Sequence, residues 1–394
     1  MQSRSPQLCP FLLGLGLFTL GFLTLPAEKI EAQTPPPQTN CFTQPQPGLS
    51  ADQLNTFSAG MAEFQRQFTT SQGLGPLANA NNCATCHNQP SCTSGSSQVP
   101  SVGGAGPRYR SNFNFGFQSD QGFDPLAEQG GPLYQEHALT GASREQIPDD
   151  ANVFSLRRIT PLFGLGLVEA IPDEQIQALA DENDANGDGV SGQVVLNSAG
   201  RMQRFGSQNH VDSLRNFVLK ALEAEMGITE KEAPSQTPTL MRSFIAFLAP
   251  LPRGEINSDV TQGEAIFNRI GCASCHVSSF TTSSGSFTTA DDEVVDVTAL
   301  KNQTLSPYSD FLLHDMGPEL DDGVDLGSAG SSEYRTPPLW GLRFRVNSLL
   351  HDGRAANEMQ AILFHGGEAK AAREQALSLS NQDVQLLKAF LRSL

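Results

Sequence analysis

The sequence predicts a mainly α fold made of two related halves from an internal duplication, with long loop-rich insertions between the helices. Three observations carry this. Apolar residues recur at helical spacing near the start of the globular part, at Leu54, Phe57, Met61, Phe64 and Phe68. Four patterns occur twice, in the same order, along the 394 residues. Strand-like stretches are sparse, Glu293–Val297 being one of the few.

The N-terminus reads as an export signal over residues 1–32. Arg4 lies in a short polar region, Phe11–Leu25 form an uncharged apolar run, and the small residues Ala27 and Ala32 follow. A bilayer-spanning helix needs about 20 apolar residues, so this run is short for one. An uncleaved anchor is the alternative, and only then would the chain meet a membrane. The mature protein is expected to be exported, periplasmic or beyond, and soluble. Residues 33–49, rich in Pro and Gln, read as a linker without fixed structure.

The globular part begins at Ser50, an N-cap residue type. Gly60-Met-Ala-Glu-Phe64 precedes Cys83-Ala-Thr-Cys86-His87, just as Gly263-Glu-Ala-Ile-Phe267 precedes Cys272-Ala-Ser-Cys275-His276. Arg158-Ile-Thr-Pro-Leu-Phe-Gly-Leu165 resembles Arg335-Thr-Pro-Pro-Leu-Trp-Gly-Leu342. Each half closes with an amphipathic helix containing Ala-Phe-Leu, Leu240 to Leu248 and Val384 to Leu394. The boundary falls at Pro250–Glu255, giving halves 50–252 and 253–394. Residues 95–150 and 278–330 are the loop-rich insertions.

Seven cysteines are present, and Cys9 would leave with the signal. Four of the other six lie in Cys-x-x-Cys-His motifs. Two thiols on one helical turn can form thioethers with the two vinyl groups of a haem, and the adjacent His then lies beneath the iron. Two such motifs in equivalent places of a duplicated, exported chain point to two covalently bound c-type haems, held by Cys83, Cys86, His87 and by Cys272, Cys275, His276. Structural zinc clusters its ligand pairs closely in sequence, which these are not. Redox disulfides would leave both histidines unexplained. Cys41 and Cys92 either pair as a disulfide or are unrelated thiols. The net charge of −17 argues against a nucleic-acid partner and suits a basic redox partner, or simply solubility.

Longer stretches carry a family likeness. Arg157-Arg-Ile-Thr-Pro-Leu-Phe-Gly-Leu-Gly-Leu-Val-Glu-Ala-Ile-Pro172, Leu313-His-Asp-Met-Gly317, Arg335-Thr-Pro-Pro-Leu-Trp-Gly341, Leu350-His-Asp-Gly-Arg354 and His365-Gly-Gly-Glu-Ala369 resemble the di-haem oxidoreductase family, which is similar to bacterial di-haem cytochrome c peroxidases. The likeness covers roughly residues 50–394. It implies two cytochrome c-like haem domains, one haem transferring electrons and the other reducing peroxide, usually the N-terminal one.

The sixth ligands decide which iron is reactive. His365 is the candidate for the second haem: it precedes the closing helix and follows His351 by the interval at which the resembling peroxidases place a distal Met. A packed structural histidine is the alternative there, with Met316 and Met359 as substitute ligands. No comparable His follows His87 before His137, so the first iron is expected to be open or weakly ligated. His137 and His210 are removable ligands or ordinary loop histidines. Cleaving an O–O bond also needs a group that moves a proton between the oxygens. Glu225-Met-Gly227 resembles the peroxidases' acid-bearing Glu-Met-Gly; Glu169 is its competitor, and a solvated helix end is the alternative for Glu225. Trp340 either aids electron transfer or shares a packing role with its counterpart Phe163.

Asp184-Ala-Asn-Gly-Asp-Gly-Val190 matches the first half of a calcium loop, with Asp184, Asn186, Asp188 and the Val190 carbonyl as donors, but the usual terminal Glu is absent. Bound Ca²⁺ or an empty exposed turn would both suit it. The expected activity is reduction of hydrogen peroxide at the N-terminal haem. Electrons would come from a small periplasmic cytochrome c or cupredoxin through the C-terminal haem. A pure electron-transfer cytochrome, or oxidation of an organic or protein substrate, are the alternatives.

Overall fold

Ser50 starts the first helix with a capping box: its hydroxyl accepts the Gln53 amide at 3.3 Å, and the Gln53 side chain accepts the Ser50 amide at 2.9 Å. The computed structural model describes residues 44–87 and 111–394. The helices are α1 (Ala51–Gln65), α2 (Leu165–Glu169), α3 (Asp173–Gln177), α4 (Leu214–Met226), α5 (Thr237–Ala246), α6 (Ser258–Arg269), α7 (Glu358–Leu363), α8 (Lys370–Leu377) and α9 (Asn381–Leu391). Among the described residues none is long and apolar enough to cross a membrane. The export signal and both Cys41 and Cys92 lie outside the described residues.

The duplication is visible as one helix crossing made twice. In the first half α1 crosses α5; in the second α6 crosses α9. Each crossing is closed by a glycine. A Cβ on Gly60 would overlap the Leu240 carbonyl oxygen and come within 2.8 Å of the Phe244 Cβ. A Cβ on Gly263 would overlap the Leu386 carbonyl oxygen and come within 2.8 Å of the Phe390 Cβ. One helical turn on, Phe64 meets Phe244 at 5.1 Å between ring centroids, and Phe267 meets Phe390 at 5.0 Å. Because the obstacle is backbone and cannot swing aside, Gly263→Ala is expected to separate α6 from α9. Overpacking at about 3 kcal/mol would outweigh the gain of about 1 kcal/mol in helix propensity. Urea denaturation should therefore show a net loss near 2 kcal/mol, and a stabilised variant would contradict the close crossing.

The halves meet through their second repeated motif, and they do so reciprocally. The Trp340 ring lies over Gly164, where a Cβ would be 2.7 Å from it; the Phe163 ring lies over Gly341, where a Cβ would be 2.8 Å away. Both glycines have positive φ, 77° and 72°, so the chain turns sharply beneath each aromatic ring. The shared packing role thus describes Trp340. The larger apolar core joins α1, α4 and α5 to Phe280, Leu300, Phe311 and Trp340 from beyond residue 253, and a smaller core lies between α6 and α9.

Two expectations need correction. The fold is helical where the haem motifs are, but it is not mainly α throughout: among the described residues are a three-stranded antiparallel sheet and several two-stranded pairs. The sheet pairs Ser111–Ser119 with Gly122–Asp124 on one side and Val153–Arg158 on the other, Asn112 opposite Arg157 and Phe115 opposite Phe154. Two of its three strands lie inside the 95–150 stretch, and the third follows directly after it. Phe113, Phe115 and Phe117 alternate with Asn112, Asn114 and Gly116, the period-two signature of a strand with unlike faces. The end of the Pro/Gln-rich stretch is also not a free linker. Gln46 is buried and donates its amide to the Phe247 carbonyl at 2.6 Å, and Ala249 donates to Gln44 at 2.9 Å, so this segment is pinned behind α5.

Candidate haem sites

In each half a single 3-10 turn, Cys83–Thr85 or Cys272–Ser274, presents the first cysteine of the motif. The histidine amide closes the turn onto the first cysteine's carbonyl, His87 to Cys83 at 2.9 Å and His276 to Cys272 at 3.0 Å. The repeated phenylalanine from the crossing helix braces each imidazole: Phe64 to His87 at 5.8 Å and 56°, Phe267 to His276 at 6.1 Å and 57°. Burial pushes the Cys83 and Cys272 thiols up to about 12 and both histidines down to about 4. All four groups are therefore neutral at physiological pH. Each imidazole keeps a lone pair free for a metal.

The first motif borders a cavity of about 500 Å³, within the range of cofactor pockets. Three elements build its far wall. The strand Ser111–Ser119 contributes Asn112 and Asn114, its partner contributes Arg157 and Arg158, and α4 contributes Val218, Glu225 and Met226. Glu225 is in the last turn of α4, which Gly227 ends in a left-handed cap. The segment before the first motif is stitched to this helix end: Gly75 donates to the Met226 carbonyl at 2.9 Å and Asn79 to that of Glu225 at 2.7 Å. Side-chain amides hold both carboxylate oxygens, Asn79 on Oε2 at 2.8 Å and Asn112 on Oε1 at 2.5 Å. Glu225 is thereby aimed and kept from wandering into solvent. A mostly apolar cavity that also offers arginines and a neutral imidazole fits a flat macrocycle with two carboxylate arms.

His210 lines the same cavity, and also a second, more polar one of about 210 Å³ beside it, which Asp212, Asn216, Lys220 and Glu223 share. Burial pushes His210 down to about 4, with Lys220, Arg157 and Arg335 adding to the effect. Its Nδ1 is buried without a partner among the described residues. Between the two readings of His210, the structure places it on the cavity. His137, by contrast, is exposed beside Glu136.

Glu169 does not line the cavity. It is buried between α5 and α4, paired with Arg242 at 2.8 Å and accepting the Leu214 amide at 2.8 Å. Burial raises its pKa against the pull of Arg242. Glu169 ties α5 to the start of α4, away from the cavity that Glu225 borders.

In the second half His276 donates Nδ1–H to the Tyr308 carbonyl at 2.8 Å, and His365 donates Nδ1–H to the Ala361 carbonyl at 2.8 Å. Each ring therefore presents Nε2 as its free nitrogen. The two lie close enough for His365 to depress the pKa of His276. Met359 is on α7, and the Met316 backbone packs near Gly366.

One group is not legible in the sequence. His314 is buried between Asp310 and Glu368, close to Cys275, and only the fold brings these four together. The acidic turn lies apart from both cavities. Its side-chain oxygens accept amides within the turn: Asp184 from Gly189 at 3.1 Å, Asn186 from Asp188 at 2.8 Å, and Asp188 from Val190 at 2.9 Å.

The comparisons agree with this duplicated arrangement. The family model described as "Di-haem oxidoreductase, putative peroxidase" matches residues 134–248 and again 242–394. No curated protein sequence matches the chain. Solved structures do align with it, among them two at low identity. One is Kuenenia stuttgartiensis hydrazine synthase pressurised with 20 bar xenon, at 14% identity, covering 99% of this chain and 100% of that one with a TM-score of 0.41. The other is a MauG-like protein associated with microbial copper homeostasis, at 14% identity, covering 64% of this chain and 95% of that one with a TM-score of 0.33. These two likenesses are too distant to bear on function. With one family model matching twice over 134–394, the chain belongs to the di-haem oxidoreductase family, and its cofactors are haems.

Proposed function

We propose that the protein is a c-type di-haem peroxidase that reduces hydrogen peroxide at the haem of Cys83, Cys86 and His87, with electrons relayed through the haem of Cys272, Cys275 and His276. The observation that carries this is an asymmetry between the two sites. His365 lies close enough to His276 to depress its pKa, and both rings leave Nε2 free, so the two would be available to ligate the second iron and close it to peroxide. His87 borders a 500 Å³ cavity that also holds a positioned carboxylate.

When bound, the haems would supply the two electrons that convert peroxide and two protons to two waters. The chain supplies position and proton movement. Glu225 takes a proton from the peroxide oxygen nearer the metal and returns it to the far oxygen as the O–O bond breaks. Asn79 and Asn112 hold its carboxylate oriented throughout. The apolar walls limit the water that could compete for the site. A small periplasmic cytochrome c or cupredoxin is the proposed donor, matched to the acidic surface. Ca²⁺ at Asp184, Asn186, Asp188 and the Val190 carbonyl is part of the same proposal.

A second reading follows from His210. Should it turn into the cavity and ligate the first iron, the protein would be an electron carrier with two filled irons. Electron paramagnetic resonance of the resting protein separates the two. The peroxidase reading expects one high-spin iron that shifts on adding cyanide and one low-spin iron that becomes high-spin in His365→Ala. Two low-spin irons indifferent to cyanide would remove it.

A further inference from the structure

We propose that Asp310, His314 and Glu368 form a buried ionic clasp that positions the His365 turn over the second haem site and fastens that turn to the N-terminal half. The inference rests on the reading of His365 as an iron ligand. His314 is on the short strand Leu313–Asp315 and is 2% exposed. Its Nε2 lies 2.8 Å from Asp310 Oδ2 and its Nδ1 lies 2.7 Å from Glu368 Oε2. With a carboxylate oxygen on each ring nitrogen, the ring satisfies both by donating from both, as an imidazolium. Burial works against that charge, but the hydrogen bonds to Asp310, Cys275 and Glu368 outweigh it and raise His314 to about 12. Burial likewise works against the Glu368 charge, and His314 and the backbone amides hold Glu368 down at about 2.

The clasp touches both the Cys-x-x-Cys-His motif, at Cys275, and the turn that follows His365. Asp310 donates its amide to the Cys275 carbonyl at 2.8 Å, and the His314 Nδ1 lies 3.8 Å from the Cys275 sulfur. Glu368 is in the turn Gly367–Ala369, three positions after His365. Its Oε1 accepts the Asp315 amide at 2.9 Å. Its Oε2 also accepts the amides of Ser191 at 2.9 Å and Gly192 at 3.3 Å, which belong to the N-terminal half. Gln193, next in line, exchanges backbone hydrogen bonds with Leu313 at 2.8 and 3.0 Å. One carboxylate thus gathers four donors from two segments, 191–192 and 314–315, and the candidate iron ligand is tethered one turn away. Such partners beyond the ligand itself set its orientation and basicity. His314 and Glu368 are positioning residues, since neither replaces His365 at the metal.

The test uses the full-length holoprotein with Glu368→Gln and His314→Gln, read by haem stain stoichiometry, electron paramagnetic resonance and redox titration. Glu368→Gln keeps the size of the side chain and removes its charge. Both variants are expected to retain two covalent haems, to replace the single low-spin signal of the second iron with a mixture, and to shift its midpoint potential. The double variant should shift no further than the larger single one, because the two groups act as one unit. Asp310→Asn gives the same readout should either variant fail to accumulate. Wild-type signals and potential in all three, with the low-spin signal lost in His365→Ala, would overturn the clasp alone. A low-spin signal that survives His365→Ala would overturn the ligand assignment and the clasp with it.

Discussion

Glu225→Gln is expected to lower peroxide turnover by about 10²–10⁴-fold, the range for removing a positioned acid–base group. The substitution keeps the shape of the side chain, and one of the two flanking amides, Asn79 or Asn112, can still donate to its remaining oxygen while the other faces the new amide group. What it removes is the ability to carry a proton from one peroxide oxygen to the other. Cyanide binding at the first iron should stay nearly unchanged, because that ligand needs no such transfer. Stopped-flow mixing with peroxide, under saturating donor, measures the chemical step directly. Full turnover in the variant would take Glu225 out of the mechanism and shift attention to the titratable groups that line both chambers, His210, Lys220 and Glu223.

Arg242→Met is expected to cost about 3–5 kcal/mol of folding stability, the usual penalty for stranding one member of a buried ion pair. Arg242 and Glu169 side chains are each 5% exposed, 2.8 Å apart, and Glu169 also receives the amide at the start of α4. Without the guanidinium, Glu169 must either stay charged in an apolar core or take up a proton. The companion Glu169→Gln/Arg242→Met should recover much of the loss, since it removes the stranded charge. Urea denaturation of the two variants measures both numbers. Equal stability of the single and double variants would show that Glu169 finds relief elsewhere.

The parts of this protein legible in its sequence are those written locally. The Cys-x-x-Cys-His turns, the glycine one turn before each bracing phenylalanine and the Ser50 cap all depend on residues a few positions apart. The sheet wall was legible and overlooked: Phe113, Phe115 and Phe117 alternate plainly, but glycines and polar residues around them suggested a loop. Asn112 and Asn79 as holders of Glu225 could not be read, because they lie 113 and 146 residues from it. The same holds for His314 and Glu368, 54 positions apart, whose meeting requires the second half to fold first. Long-range polar partners leave no periodic trace. His210 was visible as a histidine, yet only the bridge between Phe205 and Val211 turns its loop toward the cavity.

The two proximal imidazoles are held differently in one respect. His276 gives its Nδ1 proton to a peptide oxygen, whereas the Nδ1 of His87 is buried with no acceptor among the described residues. A ring that shares its proton gains partial imidazolate character and pushes more electron density through its other nitrogen. An iron held by His276 would thereby be biased toward its oxidised state relative to one held by His87, apart from any difference in their other ligands. A twofold pattern would then become electrically polar, a single acceptor oxygen at Tyr308 supplying part of the gradient along which charge would run.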